Sequence, residues 1–427
     1  MCAQPVRQAP NSGAQLGLRL RLTGQRAVTR FFALIGDPFA RLLCSPWRDD
    51  PYAHYAVLRA EGPVVRTRFG VHAVTTHALC EEVLRDRRFG VRDSRGDYAD
   101  PTAAAVDLQL SLLEQDPPDH TRLRKLAAPA FRPRRMAQFR SRITEVADEL
   151  LAETAGRREF DVVRDFATPL PVRVICELMG LPPLDAQRLA HHGRILSGAL
   201  DGVQSGRQLR RMRESYAAMD ALFEELVAQR RSSPGDDVVS DLVAAVDEDE
   251  LTGRELVQLC TLLLVAGFET TVNLIANGTR ALLDHPAQWE QLKADPSLAP
   301  AVVEETLRWD PPVQMTVRVA HEPVTLDGHR LPTDTPVILL LASAGRDPQA
   351  HRAPNTFDIT RPETSDHLAF SSGIHYCLGA PLARIEGEIA FRSLATHLPD
   401  LNPHPARSPT PRPTTVIHGP KTLPTTT

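Results

Sequence analysis

Residues 367–384 read His367-Leu-Ala-Phe370-Ser-Ser-Gly373-Ile-His375-Tyr-Cys377-Leu-Gly379-Ala-Pro381-Leu-Ala-Arg384. One cysteine sits where an irregular, glycine-bearing segment turns into a helix. Pro381 suits the first turn of that helix, because the N–H that proline lacks would be unpaired there. A cysteine at a helix N-terminus meets free backbone N–H groups and the positive end of the macrodipole, and both favour a thiolate. Gly373 and Gly379 let backbone approach a flat group where a Cβ would clash. Phe370 is placed to pack on one face of such a group. The spacing Phe-x-x-Gly-x-His-x-Cys-x-Gly therefore points to a metal-ligating thiolate. The plain alternative is a buried cysteine in a glycine-containing turn, which the joint spacing disfavours. A zinc site on His375 and Cys377 lacks the two further ligands a structural site requires.

Upstream, Thr252 and Glu255 form a capping box, and no proline interrupts the chain from Gly253 to Leu283. His285-Pro286 closes the pattern. Roughly 31 residues at about 1.5 Å each make a rod of about 45 Å, enough to cross a domain. Its middle, Leu262-Leu-Leu-Val-Ala-Gly-Phe268, is apolar on every face and predicts a buried central helix. Within it, Ala266-Gly267-Phe268-Glu269-Thr270-Thr271 sets an acid beside two β-branched hydroxyls, which is poor helix chemistry. A hydroxyl there can enter the i→i−4 ladder and open a groove. Such a groove beside Gly267 would admit a diatomic ligand and water. Thr270 would then donate to the ligand, and Glu269 would relay protons from bulk. The alternative is a threonine bonded back to the Ala266 carbonyl in an ordinary core helix. Taken alone, the motif favours that alternative.

Two more constellations stand out. Glu305 and Arg308 are three residues apart on one helix face. On their own they read as a solvated pair worth well under about 1 kcal/mol. His120-x-x-x-Arg124 puts two donors one turn apart, and Arg318 and His375 are further donors for a group bearing two carboxylates. The run from His120 to Thr144 holds Arg122, Arg124, Lys125, Arg132, Arg134, Arg135, Arg140 and Arg142 and no acid. It reads equally as a docking patch for an acidic partner or as a solvated face.

Around these motifs the chain is ordinary for a globular protein. Of 427 residues, 42% are hydrophobic and 24% charged, with a net charge of −4, which speaks against bulk nucleic-acid binding. Six cysteines show no C-x-x-C pair, which suggests a reducing cytosol. Runs such as Val337 to Ala342 are too short to cross a bilayer, and no cleavable leader is expected. Helices are expected at 50–61 and 77–86, and then in series to about 231, with breaks at 129–133, 169–171 and 182–183. Strands are expected at 64–69, 72–75, 317–320 and 337–341, a long mobile loop at 91–117, and short extended segments after 402. The first 36 residues carry Arg7, Arg19, Arg21, Arg26 and Arg30 and no acid. They read as a frayed extension or as a basic helix lying on a surface.

Together these residues resemble the bacterial soluble cytochrome P450 family, over roughly 37–424 and most specifically at 367–384. The resemblance implies a mainly α fold with small β-sheets, an α-rich triangular prism with the long central helix over a haem. It implies one catalytic domain at 37–427 behind the 1–36 extension. The cofactor would be haem b, iron protoporphyrin IX with Cys377 as axial thiolate. His120, Arg124, Arg318 and His375 would hold its propionates, and Phe370, Gly373, Gly379, Ala266 and Gly267 would line it. Thr270 and Glu269 would serve oxygen activation. Glu305, Arg308 and Arg361 would become a buried cluster pinning the chain beneath the haem, which revises the surface-pair reading. Ser371-Ser372 stands where relatives often carry Gly-His, and Gly345 where many carry Asn. Neither removes a ligand, though the first bears on partner docking.

The implied activity is insertion of one oxygen atom of O2 into an apolar small molecule lying against Leu263, Ala266, Thr270, the 91–117 loop and Val313–Val317. A thiolate ligand pushes electron density towards iron and favours O–O cleavage. With no flavin or iron–sulfur module in the chain, electrons would come from a ferredoxin or flavodoxin with its reductase. The protein is expected to be cytoplasmic and monomeric, with no nucleic-acid partner. The rivals are coupling, desaturation or peroxide use on the same fold, and a haem-binding sensor without turnover. A sensor has no need of the Glu269–Thr270 pair.

Overall fold

The computed structural model describes residues 12–98, 111–182, 186–203, 205–248, 250–362 and 366–427. In chain order the first elements are α1 (Ser12–Leu34), α2 (Pro38–Leu42), α3 (Tyr52–Glu61), β1 (Val64–Arg66), β2 (His72–Val74), α4 (His77–Arg85) and β3 (Phe89–Gly90). Then come α5 (Asp119–Ala127), α6 (Pro133–Ala152), β4 (Glu159–Asp161), α7 (Pro169–Met179), α8 (Ala186–Ser197), α9 (Gly206–Ser232), α10 (Val238–Asp247) and α11 (Gly253–Asp284). α12 (Pro286–Ala294) and α13 (Ala299–Trp309) precede β5 (Thr316–Ala320), β6 (Val324–Leu326), β7 (His329–Leu331), β8 (Pro336–Leu339) and α14 (Leu341–Ala344). α15 (Ala380–His397) and β9 (Asn402–Pro403), β10 (Thr410–Pro411), β11 (Pro420–Thr422) and β12 (Pro424–Thr426) complete the chain.

α11 is the axis of the molecule. Its capping box forms as the sequence predicts, with the Thr252 hydroxyl accepting from the Glu255 N–H and the Glu255 carboxylate from the Thr252 N–H. α7, α8, α9, α13 and α15 pack around it, and its apolar middle lies in the largest core cluster. It is the one described helix long and apolar enough to cross a membrane, and 83% of its most apolar stretch is buried within the protein. α7 ends at Gly180, whose φ of 74° is the left-handed cap that glycine adopts freely. A Cβ there would also meet Asp237 Oδ2 at 2.3 Å, so glycine is required twice over.

The main sheet has the order β1-β2-β8-β5-β3, with β2 and β8 parallel and the other pairs antiparallel. Its faces follow the two-residue strand period: Val64 and Val74 pack with α4, Val65 and Ala73 with α2 and α3. β4, β12 and β9 form a second sheet, which ties residues 159–161 to the tail.

The expected elements appear with shifted ends. β1 stops at Arg66 because the chain turns through Gly70, at φ 81°. Pro169 starts α7 and does not merely break a helix, since proline is welcome at N1. The β6–β7 hairpin was not expected, although Asp327-Gly328 at its tip, both at positive φ, is a strong hairpin signal. Of the predicted 91–117 loop, residues 99–110 lie outside the described residues. The described part is anchored: Asp116 accepts from the Val91 and Arg92 N–H groups, and Ser94 bonds Asp334 at 2.7 and 2.6 Å. Within the 1–36 extension, residues 1–11 are not described, and α1 docks on the body through Leu22 and Ala33.

Candidate functional site

The cysteine turn is held from both sides. The Cys377 N–H donates to the Phe370 carbonyl at 2.8 Å. On balance burial holds the Cys377 thiol above its ordinary value, against the Gly379 and Ala380 N–H groups and the Arg124 and Arg384 charges, which pull it down. This is the helix-N-terminus environment expected of a thiolate ligand. Gly373, at φ 66°, has no room for a Cβ, which would lie 2.3 Å from the Leu84 carbonyl oxygen. Its constraint therefore comes from α4 and not from a cofactor. Gly379 has only Phe131 at 3.8 Å beside its missing Cβ, so no protein atom crowds it. Phe370 is buried under the Arg384 guanidinium, 4.7 Å from its ring centre.

The four expected carboxylate holders converge. The His120 and His375 rings lie 4.3 Å apart. Burial first, then the Arg318, His120 and Arg124 charges, hold His375 down at about 3. Burial also lowers His120, Arg124 and Arg318. Both ring nitrogens of His120 and Nε2 of His375 are buried without a protein partner. Arg318 reaches only the Thr316 hydroxyl and the Val317 carbonyl. One buried and one half-buried guanidinium and two imidazoles with free nitrogens, beside a thiol, make a donor set for a dianionic group. The residues thus fit haem propionates and an axial thiolate. Among the described residues no cluster of three or more His, Cys, Asp or Glu could hold a metal by itself, which leaves the zinc reading without ligands.

α11 offers one open stripe. Ala266 is exposed and Gly267 and Thr270 half-buried in the middle of an otherwise buried helix. The break in the helix that one reading of the motif allowed does not occur. The Thr270 hydroxyl donates to the Ala266 carbonyl at 2.9 Å and Thr271 to the Gly267 carbonyl at 3.1 Å, and the α-helix runs through. This is the back-bonded alternative. Gly267 faces Ile175 of α7, whose Cδ1 would be 3.0 Å from a Cβ, so glycine here serves helix packing. Glu269 does not reach bulk water. It is 2% exposed and ion-paired to Arg412, which comes from the tail.

Glu305, Arg308 and Arg361 do come together. Arg308 forks onto Glu305 with two bonds of 2.7 Å and donates to the Gly345, Pro354 and Thr356 carbonyls. Arg361 reaches both carboxylate oxygens of Glu305 at 3.3 Å. Both members of the central pair are only 4% exposed along the side chain, so the surface reading fails.

Of the eight basic residues at 122–142, four are already neutralised: Arg122 by Glu255, Arg135 by Asp241, Arg140 by Glu388 and Arg142 by Glu177. Arg124 is directed inward, towards Cys377. Lys125, Arg132 and Arg134 remain exposed, along with Ile374 and Tyr376 on the cysteine turn.

In the expected substrate segment, Gln314 and Met315 are buried in the protein's own packing, with Gln314 bonded to Tyr55 and Pro311. Val313, Thr316 and Val317 stay partly open.

Three participants escaped the sequence reading. The tail segment 412–418 packs beside 312–314, with the His418 N–H on the Pro312 carbonyl and the Gln314 N–H on the Val416 carbonyl. It is clamped by the Arg412–Glu269 pair and by Asp201, which accepts from the Thr415 and Val416 N–H groups. Glu304 clamps Arg384 and His367, and these partners outweigh burial to hold its carboxyl down at about 2. Glu386 of α15 is buried against Thr271 with Oε2 unpartnered, and burial pushes its carboxyl up to about 8. Only Glu304 had a signal: it adjoins Glu305 in the sequence.

The family model described as Cytochrome P450 matches residues 202–416. The cytochrome P450 monooxygenase PikC of Streptomyces venezuelae is 44% identical over 363 residues, 82% of this chain and 85% of that protein. Cytochrome P450 140 of Mycobacterium tuberculosis is 37% identical over 433 residues, 96% of this chain and 97% of that one. That span takes in part of residues 1–36, beyond the expected limit of the resemblance. Ligand-free CYP164A2 of Mycobacterium smegmatis has a TM-score of 0.84 at 36% identity, covering 91% of this chain and 99% of that one. P450BioI, solved with an acyl carrier protein bearing hexadec-9Z-enoic acid, has a TM-score of 0.82 at 36% identity, with 88% and 97% covered. Identity at this level over most of the chain, on the same fold, settles the family: the protein belongs to the bacterial cytochrome P450s, haem-thiolate oxidoreductases that use haem b.

Proposed function

We propose that this P450 monooxygenase oxidises an apolar small molecule, drawing electrons from a separate ferredoxin or flavodoxin, with Cys377 as the axial thiolate. The observation that carries the residue assignment is the convergence of His120, Arg124, Arg318 and His375 beside Cys377, with buried ring nitrogens left unpartnered. The haem would supply reductive activation of O2, favoured by thiolate ligation. Arg124 and Arg318 would hold the propionates by charge, and the two imidazoles would donate hydrogen bonds to them. The Gly379 and Ala380 N–H groups keep electron density on the Cys377 sulfur. Thr270 lies on the open stripe of α11, where its hydroxyl, now bonded to the Ala266 carbonyl, would be the donor available to a ligand of the haem. Glu269 acts with Arg412: proton transfer through it requires that ion pair to open. Leu263, Ala266, Val313 and Val317 favour an apolar substrate.

Cys377→Ser should abolish the red-shifted absorption of the reduced carbon-monoxide complex; its persistence would remove Cys377 from the assignment. NADH consumption with a ferredoxin system and a panel of apolar ligands separates turnover from mere binding. For the redox partner, Lys125, Arg132 and Arg134 are the available charges. Arg132→Glu with Arg134→Glu should slow reduction about tenfold or more at low salt, and an unchanged rate would discount that face.

A further inference from the structure

Among the described residues, most of the exposed large apolar side chains lie in one place. Among the described residues seven large apolar side chains are exposed, and Val28, Phe31, Leu34 and Ile35 are four of them, at 48%, 58%, 62% and 54%. They lie at the end of α1 and just past it. Val28, Phe31 and Ile35 follow the i, i+3, i+7 spacing of one helix face. Leu22 and Ala33, on the opposite side, are buried against the body. The helix is thus held by one face and presents the other to solvent.

The charge around this face is one-sided. Residues 1–36 contain five arginines and no acid, on a chain of net charge −4, so the remainder carries −9. Arg26 and Arg30 are both exposed on this helix; Arg30 stands one turn before Leu34, and Arg26 one turn after Leu22. α1 packs against α9, and α9 itself exposes Arg207, Arg210 and Arg211.

We propose that this face seats the enzyme peripherally on an anionic lipid bilayer. Phe31, Leu34 and Ile35 enter the boundary between headgroups and acyl chains, and the arginines meet the lipid phosphates. A second copy of the chain is a poor occupant, because each face would bring like charge to the other. Residues 1–11 are a poor cover as well: Met-Cys-Ala-Gln-Pro-Val-Arg-Gln-Ala-Pro-Asn has two prolines, one arginine and no apolar run. An acidic protein would match the arginines and leave the apolar cluster without a use. The acidic remainder of the molecule is repelled by the same bilayer, which fixes α1 as the side turned towards it.

The test is vesicle flotation of the full-length haem-loaded enzyme. Phosphatidylcholine vesicles are compared with vesicles holding about one third phosphatidylglycerol. Binding to the anionic vesicles should be at least about tenfold stronger and should fall with added salt. Phe31→Ser with Leu34→Ser and Ile35→Ser should lower it about tenfold, and Arg26→Glu with Arg30→Glu should remove the preference for anionic lipid. Both variants should keep the wild-type melting temperature and carbon-monoxide spectrum. Equal flotation with neutral and anionic vesicles would overturn the proposal. So would flotation of the serine variant at the wild-type level. A concentration-dependent dimer that the serine variant dissolves would assign the face to a second copy instead.

Discussion

Glu386→Gln should stabilise this protein above neutral pH and destabilise it slightly in acid. Glu386 is 1% exposed on α15 and touches Thr271. The Thr271 hydroxyl already donates to the Gly267 carbonyl, so the contact from Glu386 is best made by a protonated carboxyl donating to the Thr271 oxygen. Burial is the chief cause of its rise from the ordinary 4.5 to about 8. The sign follows from linkage: a group whose folded pKa is raised stabilises fully below its unfolded pKa and loses that contribution as pH climbs through the folded value. Each pH unit between the two costs about 1.36 kcal/mol, so by pH 7.5 the wild type has forfeited about 4 kcal/mol. Glutamine keeps the shape and a donor but leaves one amide hydrogen unpaired, at about 1 kcal/mol. The variant should therefore gain about 3 kcal/mol at pH 7.5 and lose about 1 kcal/mol at pH 4.5. Urea unfolding of both proteins between these limits measures it. Curves that run parallel, without crossing, would refute a protonated Glu386.

Three further substitutions test the frame beneath the site. Arg308→Ala leaves the buried Glu305 with the longer Arg361 bonds and the Asp358 N–H, and strips donors from three carbonyls. It should cost about 4 kcal/mol and lower the haem content of purified protein. Ser371 sits at φ 63° with its hydroxyl buried and unpartnered. Ser371→Gly should raise stability by about 1 kcal/mol, seen as a higher melting temperature, because the left-handed strain and the orphaned hydroxyl go together. Gly345→Ala would set a Cβ 2.2 Å from the Arg308 carbonyl oxygen. It should lower stability by about 2–3 kcal/mol by the same measurement, since backbone cannot rotate out of the way.

What could be read in the chain beforehand was whatever depends on neighbours in sequence. The capping box, the length of α11 and the proline-started helix after Cys377 are local, and they appear as written. The short strands were harder, because β1 and β2 depend on β8, which lies more than two hundred residues away. In the site, the donors His120, Arg124, Arg318 and His375 were named by type and by family, and their convergence is a fact of the fold. Charge was the least legible. A run of eight basic residues looked like a patch, but acids from α7, α10, α11 and α15 quench half of it. Glu269 looked like a relay to water until Arg412, far along the chain, proved to be its partner. No spacing rule links residues 269 and 412.

The clamped tail segment has a consequence for anyone who would redirect this enzyme. One short stretch both pairs with 312–314, through Val416 and His418, and supplies the counter-ion to the acid of the central helix, through Arg412. On the proposed function, substrate fit and proton supply would therefore be written in adjacent residues. A library that varies 413–417 freely while holding Arg412 and Asp201 constant explores new substrates on an intact acid. A library that includes Arg412 varies two properties at once, and its poorly coupled members will look like failures of fit.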